Sequence, residues 1–221
     1  MSLPTITFEN LSASAQANVP QTFAYVFAKG DVPAGSPLQL VAPGGALVPC
    51  QVDVHSTYAG GSVKHASLTA IIPAIAASAS VAYQIAIAAS APTGAAPTPA
   101  SFPGLNAVAS IVDYGTDVAG PNAGTAYTAD ASARLAAGTY KTWRSGPYMA
   151  EWIVRVPLVT AAGVEHPHLH ARFEIMAYKG QSRARIHCTI ENTWAKPKNP
   201  QPVAVGSSAW ETVSNIPSIY S

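Results

Sequence analysis

The stretch that decides the fold of this chain is LHARFEIMAYKGQSRARIHCTIENTW, residues 169–194. Apolar side chains occupy the odd positions of residues 169–177, and side chains of mostly polar character occupy the even positions between them. The parity swaps after Gly180, so that the apolar positions are the even ones in residues 184–190. Alternation of period two predicts strands, and a swap across a two-residue loop with glycine predicts a β-hairpin.

The predicted hairpin has a definite register if Tyr178 pairs with Gln181. Apolar residues then meet across the strands and Glu174 faces an opposite charge. One face is core, and the other is solvent or functional surface. The expected opposite pairs are Phe173 with Ile186, Glu174 with Arg185, and Arg172 with His187. The side chains expected to point inward from the second strand are Ala184, Ile186, Cys188 and Ile190.

Strand-like runs fill the rest of the chain as well. Gly- and Pro-rich turns separate the early runs at short spacing, which is typical of small barrels and sandwiches rather than βαβ units. The Ala-rich run 127–135 has good helix formers, but its period of two and the glycine at 138 favour a strand. The predicted strands before the hairpin are residues 22–28, 38–41, 47–55, 63–72, 80–88, 107–114, 127–135, 140–143 and 148–159. We therefore predict an all-β fold with little or no helix.

The domain organisation follows from one aperiodic segment. Residues 91–104 are rich in Ala and Pro and are predicted to be a linker. Residues 1–90 are predicted to form a small β-barrel, and residues 105–221 an antiparallel β-sandwich. The sandwich lacks an obvious closing element at the C-terminus, as the first part of a longer polypeptide would.

The composition is weakly charged: 10% of the residues are charged and 48% are hydrophobic. Proteins with little surface charge often bury surface against neighbours in an assembly, although a monomer with many small surface residues fits equally well. Residues 1–130 carry a net charge of −4 and residues 131–221 one of +5. Neither part has the dense basic patch that binding to a phosphate backbone needs, so nucleic acid is not an expected partner.

Targeting signals and redox chemistry are not apparent. Cys50 and Cys188 have no zinc-binding spacing, so we expect two buried free thiols. The N-terminus lacks a basic segment followed by an apolar run, which predicts synthesis in a cytoplasm without a secretory signal. No apolar run is long enough for a membrane span.

The histidines in residues 165–170, EHPHLH, are a candidate metal site. Histidines two apart on a strand share a face, and His187 would lie diagonal to His170. Pro167 argues against a continuous ladder and favours a turn before the strand, with a solvated or hydrogen-bonded histidine cluster. We therefore predict no metal and no other cofactor.

The aromatic and polar residues around Ser145-Gly146-Pro147 are a candidate binding cleft. Flat rings beside charged side chains suit sugar or protein binding. The alternative is that these aromatics belong to the core. The residues concerned are Tyr140, Trp143, Arg144, Tyr148 and Trp152. Since no catalytic motif is present in the sequence, we predict that the chain is not an enzyme.

The N-terminal part contains FAKGDVPAG at 27–35, LVPCQV at 47–52 and GGSVKHA at 60–66. This order resembles the N-terminal RIFT-type barrel of the exo-rhamnogalacturonan lyase-like (YetA-like) family, with a G-x-x-P-x-G loop, a V-P-x-Q strand and a D-G-S-V-K/R-W turn. Gly60 stands in place of the Asp and His65 in place of the Trp. In that family the barrel is an accessory module, so the resemblance implies a RIFT-like fold and an association with polysaccharide, and argues against lyase activity.

Residues 138–194 are similar to uncharacterised phage structural proteins that carry the same barrel at their N-terminus, through WRSGP at 143–147, ARFEI at 171–175 and TIENTW at 189–194. This resemblance implies a bacteriophage virion structural protein of the tail, baseplate or fibre. Its expected partners are other virion proteins, copies of itself and a surface polysaccharide. The alternative is a carbohydrate-binding module or a fragment of a carbohydrate-active enzyme. The residues expected to bind are Trp143, Arg144, Tyr148, Trp152, Arg172, Glu174, Arg183 and Arg185.

Overall fold

The computed structural model describes residues 3–113 and 124–192. The prediction of an all-β fold with little helix is confirmed, because these ranges hold twelve strands, one short helix and one 3-10 turn at Pro99–Ser101. The strands are β1 (Thr5–Glu9), β2 (Gln16–Val26), β3 (Leu38–Val41), β4 (Leu47–Thr57), β5 (Val63–Ile75), β6 (Ser80–Ile87), β7 (Val108–Asp113), β8 (Thr125–Asp130), β9 (Lys141–Ser145), β10 (Met149–Val159), β11 (Glu165–Tyr178) and β12 (Ala184–Asn192); the helix is α1 (Ser132–Ala136).

The strands form two curled, barrel-like antiparallel sheets. The first sheet has the order β1-β6-β3-β4-β5-β2, and the second has the order β12-β11-β10-β8-β7, with β9 paired to β10. β5 is a central strand of the first sheet: Thr69 lies opposite Gln51 on one side and opposite Thr22 on the other. β5 buries side chains on both of its faces: polar Ser67 and Thr69 on one, and Leu68 and Ile72 on the other.

The described chain divides into two compact units that are not consecutive along the sequence. Unit 1 comprises residues 1–101, 142–151 and 176–184, and unit 2 comprises the remaining segments. The first boundary falls inside the predicted linker, residues 91–104. The two later segments of unit 1 come from the region that the sequence assigns to the second domain.

The first strand of the predicted hairpin is buried as expected. All five odd positions of residues 169–177 are at most 3% exposed, and β11 is the sheet neighbour of β12. Gly180 has φ +74°, and the N–H of Gln181 donates to the carbonyl of Tyr178 across the turn. The hairpin and its glycine turn are therefore confirmed.

The charge contacts across the hairpin differ from the predicted ones. Glu174 contacts His187 rather than Arg185, and Arg172 contacts Glu191 rather than His187. β12 begins only at residue 184, so the connection after Tyr178 is longer than two residues, and the charged side chains of β11 reach partners further along β12 than expected. The contacting residues have the parity predicted for the polar face, and the pairing of Phe173 with Ile186 stays a prediction.

The second strand is less buried than expected. Ile186 and Ile190 are 37% and 38% exposed, and Cys188 is exposed. β12 is the edge strand of its sheet in the described part of the chain, so a neighbour covers it on one side only. The expectation that these side chains are core, and that both cysteines are buried, is wrong for this strand.

The Ala-rich run 127–135 is only partly a strand. β8 ends at Asp130, whose carboxylate accepts a hydrogen bond from the N–H of Ser132, and α1 follows. Gly138, with φ +72°, ends the helix: its N–H donates to the carbonyl of Leu135, and the next N–H donates to that of Arg134. This is a Schellman cap, so the glycine that favoured a strand in the sequence is a helix terminator.

Two further differences concern the strand limits. The sequence missed β1 and the first half of β2. β11 begins at Glu165 and continues through Pro167, so the expected turn at the histidine cluster is wrong. Predicted elements at Tyr114 and Trp194 lie outside the described residues. The described ranges include no helix that is long and apolar enough to cross a bilayer.

Candidate functional site

The side chain of Gln51, on β4, holds the chain around residues 148 and 149 within unit 1. Its Oε1 accepts hydrogen bonds from the N–H groups of Tyr148 (3.0 Å) and Met149 (2.9 Å). Its Nε2 donates to the carbonyl of Met149 (3.1 Å) and to Oδ2 of Asp53 (3.0 Å). With two donors and two acceptor lone pairs, the amide is saturated although the residue is only 4% exposed. Gln51 is therefore an anchor and offers no free hydrogen bond to a ligand.

The turn Ser145-Gly146-Pro147 lies against this anchor. A Cβ on Gly146 would be 2.4 Å from Cδ of Gln51, so that only glycine fits there without a shift. The N–H of Gly146 also donates to the carbonyl of Met149 (3.0 Å), which closes the turn. The glycine is needed for close approach and not for an unusual φ.

A cleft of about 280 Å³ opens beside the turn within unit 1. Its walls are mostly apolar, and Asp53 contributes a half-buried carboxylate. The volume lies just below the range of typical small-molecule sites, which suits one small group rather than a long ligand. The lining residues are Gly35, Ser36, Pro37, Cys50, Gln51, Val52, Asp53, Val54, Val63, Ala91, Pro92, Ser145, Gly146 and Pro147.

The predicted aromatic residues do not form one cluster. Trp152 is 2% exposed and packs at 6.0 Å from the ring of Tyr140 within unit 2, so its expected role in a ligand-contacting cleft is corrected to a core role. Trp143 is on β9 in unit 1 and is 53% exposed. Tyr148 binds Gln51 through its backbone, while burial and the nearby Cys50 raise the pKa of its phenol.

Arg144 is paired inside unit 1. Its Nε lies 2.6 Å from Oε2 of Glu151, and both side chains are largely buried. Its Nη2 is 3.8 Å from the sulfur of Met176. The guanidinium is thus held by an internal carboxylate, and its expected role in binding a ligand has no support from this geometry.

The outer face of the second sheet carries a chain of ion pairs within unit 2. Arg155 on β10 binds Glu191 on β12 at 2.7 Å, and Glu191 also lies 3.5 Å from Arg172 on β11. Arg172 pairs in turn with Glu174, which contacts His187 on β12 at 3.3 Å. We call these five residues the charged row. It places predicted residues Arg172 and Glu174 together on an exposed face.

The two other predicted arginines are exposed. Arg183 lies in the loop before β12, and Arg185 lies on β12. In residues 3–113 and 124–192 neither of them has an ion-pair partner. Nε of Arg172 is buried and has no hydrogen-bond partner among the same residues. Arg185 therefore offers exposed donors on the same strand as His187 and Glu191.

The outer edge of β12 adds exposed apolar side chains to this region. Because His187 and Glu191 contact residues on the polar face of β11, alternation places Ile186, Cys188 and Ile190 on the opposite face, shared with the core. No strand of the described ranges pairs with the outer side of β12. We call this strand with its two faces the β12 edge.

His166 is a buried structural histidine. Its Nδ1 accepts a hydrogen bond from the N–H of Leu169 (3.1 Å), so the proton is on Nε2, which donates to Oδ2 of Asp113 (3.1 Å). The edge of Tyr127 packs on the ring at 4.8 Å. Both nitrogens are used, and the described residues contain no group of three or more His, Cys, Asp or Glu placed to hold a metal ion.

A histidine pair that the sequence did not single out lies on β4 and β5. Nε2 of His55 is 2.7 Å from Oγ of buried Ser67, and the ring of His65 is 5.0 Å away. A β-bulge between Val54 and Ser56 turns His55 toward this position. Among the described residues, no carboxylate forms a hydrogen bond with His55. The pair therefore lacks the third group that orients a catalytic base. A bulge has no sequence signal in a single chain.

Comparison with known proteins gave no match to any family model and no match to a curated protein.

Proposed function

We propose that the chain is a bacteriophage virion structural protein that acts by binding, without catalysis, through the charged row and the β12 edge. The observation that carries this proposal is the β12 edge itself: exposed apolar residues on one face and ion-paired residues on the other. An interface of this kind buries apolar surface at its centre and uses polar groups for alignment. The resemblance of residues 138–194 to phage structural proteins supports a place in the tail, baseplate or fibre.

The internal polar groups support binding over chemistry. The side chains of Gln51, Arg144 and His166 are of types that catalytic sites use. Each is buried and bonded to fixed partners within its own unit. The amide of Gln51 and both ring nitrogens of His166 are engaged, and Arg144 is paired with a carboxylate, so the proposal places the binding capacity at the surface.

The test is the composition of particles made by the phage that carries the gene. Virions purified on a density gradient are digested, and the chain is quantified by mass spectrometry against the major capsid protein. We expect the chain in a fixed stoichiometry with the particle and absent from particles made after the gene is deleted. Recovery of the chain only in the soluble lysate would contradict the proposal.

A second candidate function is glycan binding at the cleft beside Gly146. The specific observation is the half-buried carboxylate of Asp53 between apolar walls, an arrangement that can accept hydrogen bonds from hydroxyls. The measurement is binding to a glycan array by wild type and by Asp53→Asn, with Asp31→Asn as a control outside the cleft. Equal binding of both variants would remove the cleft from consideration.

A further inference from the structure

We infer that the β12 edge pairs with the β12 edge of a second copy of this chain, antiparallel and centred on Cys188. This inference rests on the proposed function, because it names the partner of the same surface. A free edge strand presents unpaired N–H and C=O groups and is a template for another strand. The described residues supply no such partner for β12.

The order of residues on β12 favours this register. In an antiparallel pair centred on residue 188, Cys188 lies opposite Cys188 of the second copy. A residue that precedes Cys188 by some number of positions lies opposite the residue that follows it by the same number. Ile186 then meets Ile190 of the second copy, and Arg185 meets Glu191 of the second copy. The two-fold axis makes each of these pairs occur twice. If the register of the two strands shifts by two residues in either direction, Ile186 no longer faces Ile190 and Arg185 no longer faces Glu191.

The charges and exposures fit this pairing. Arg185 is exposed and has no ion-pair partner among the described residues, and Glu191 of the second copy, which also contacts Arg155 and Arg172 of its own chain, would lie directly across from it. Ile186 and Ile190 are each more than one third exposed. In the dimer, Ile186 would be covered by Ile190 of the second copy, and Ile190 by Ile186 of the second copy. Directly opposed apolar and opposite-charge pairs are the units that stabilise antiparallel sheets. The second sheet would continue from one copy into the next through β12.

The central pair provides a direct reporter. The Cα atoms of directly opposite residues in antiparallel strands lie about 4.5–5.5 Å apart, which is within the range of disulfide bonds. Cys188 is exposed, whereas Cys50 is buried and cannot reach another copy. Mild oxidation of the full-length protein should therefore produce a disulfide-linked dimer, in which two thiols lose two electrons and two protons to the added copper–phenanthroline oxidant and oxygen.

The control for chance collision moves the thiol by one residue. In Cys188→Ser with Thr189→Cys, residue 189 faces His187 of the second copy, so the two thiols are not opposite each other. We expect dimer cross-linking to be slowed by about tenfold or more. Equal cross-linking of this variant and of wild type would overturn the register.

The decisive experiment compares Arg185→Glu with Arg183→Glu by sedimentation equilibrium of the full-length protein. Both variants change the same charge at an exposed arginine, but only residue 185 lies on β12. Arg185→Glu places two carboxylates opposite each other twice per dimer, and we expect a dissociation constant at least about tenfold higher. Arg183→Glu should remain as dimeric as wild type. A monomeric wild type, or equal effects of the two variants, would overturn the inference.

The two proposals fail separately. A monomeric chain that is still found at fixed stoichiometry in virions would refute the β12 pairing and leave the structural role. A dimer with the expected response to Arg185→Glu that is absent from virions would support the pairing and refute the virion role.

Discussion

Gly146 lies so close to Gln51 that a single methyl group at residue 146 would overlap the middle of the glutamine side chain. A Cβ atom at residue 146 would lie 2.4 Å from Cδ of Gln51, 2.6 Å from its Oε1 and 2.8 Å from its Cγ. Four hydrogen bonds fix this amide, so it cannot move aside without losing them. The two residues therefore constrain each other, although they are almost a hundred positions apart in the sequence.

Gly146→Ala should destabilise the protein by about 1–3 kcal/mol, as overpacking of a fixed site does. The measurement is the free energy of unfolding from urea denaturation followed by circular dichroism. Gly60→Ala is the matched control, because a Cβ there meets nothing within 4 Å. If both alanine variants unfold at the same urea concentration, the close packing at Gly146 is incorrect.

Gln51→Leu should cost about 2–4 kcal/mol, because it keeps much of the volume but leaves the buried N–H groups of Tyr148 and Met149 without their acceptor. Hydrogen exchange adds a local readout, since these two amide protons should exchange faster in the variant. Gln39→Leu is the control: Gln39 makes one exposed hydrogen bond of 3.5 Å to the carbonyl of Ile87. A loss of stability that is equal in both variants would show that Gln51 is not the anchor.

Glu151→Gln should destabilise the protein by about 3–5 kcal/mol, since it leaves the guanidinium of Arg144 buried without a counter-charge. Arg155→Gln breaks the exposed pair with Glu191, and its expected cost is below about 1 kcal/mol. Thermal denaturation at low and high salt distinguishes the two, because salt screens the exposed pair more strongly. Similar costs for both variants would contradict the difference in burial between the two pairs.

The cysteines should differ in reactivity toward Ellman's reagent. Exposed Cys188 should react in the native protein, more slowly than a free thiol because partial burial raises its pKa. Cys50 should react only after unfolding, because burial raises its pKa to about 12. The Cys188→Ser variant isolates the second thiol, and its rapid native labelling would contradict the burial of Cys50.

Cys50 should also make stability depend on alkaline pH. Its thiol has a higher pKa in the folded chain than in the unfolded chain, where the ordinary value is 9.0. The stabilisation is complete below pH 9 and is lost as the pH rises toward 12, because the unfolded chain releases its proton first. The unfolding free energy of wild type should therefore fall faster than that of Cys50→Ala, by up to about 1.4 kcal/mol per pH unit. Parallel curves for the two proteins would refute this coupling.

Alternation of side chains was sufficient to predict the strand class and the buried face of β11. It could not predict which charges pair across the hairpin: Glu174 contacts His187 and not Arg185, and this choice depends on a loop length that Gly180 alone does not determine. It also could not separate a core strand from an edge strand, so Ile186 and Ile190 were expected to be buried. The exposure of a strand's side chains depends on its neighbours in the sheet, and the order of strands in a sheet cannot be deduced from a single sequence.

The site was less predictable than the fold. Arg172 and Glu174 were expected on one outer face and lie there, whereas Trp152 is in the core. The sequence places Gln51 in a strand motif and no more, since a glutamine shows no sign of the backbone groups it will bind. Those groups lie about a hundred residues further on, and only the folded chain brings them together.

The distance in sequence between Gln51 and its partners has a consequence for synthesis on the ribosome. Met149 is made 98 residues after Gln51, which corresponds to about 5–20 s at typical elongation rates. During this interval the nascent first sheet must keep the amide of Gln51 hydrated and the strands around it incompletely packed. Unit 1 can thus reach its final structure only after residue 184 has emerged, and a truncated product that ends before residue 149 would leave the anchor without its partners.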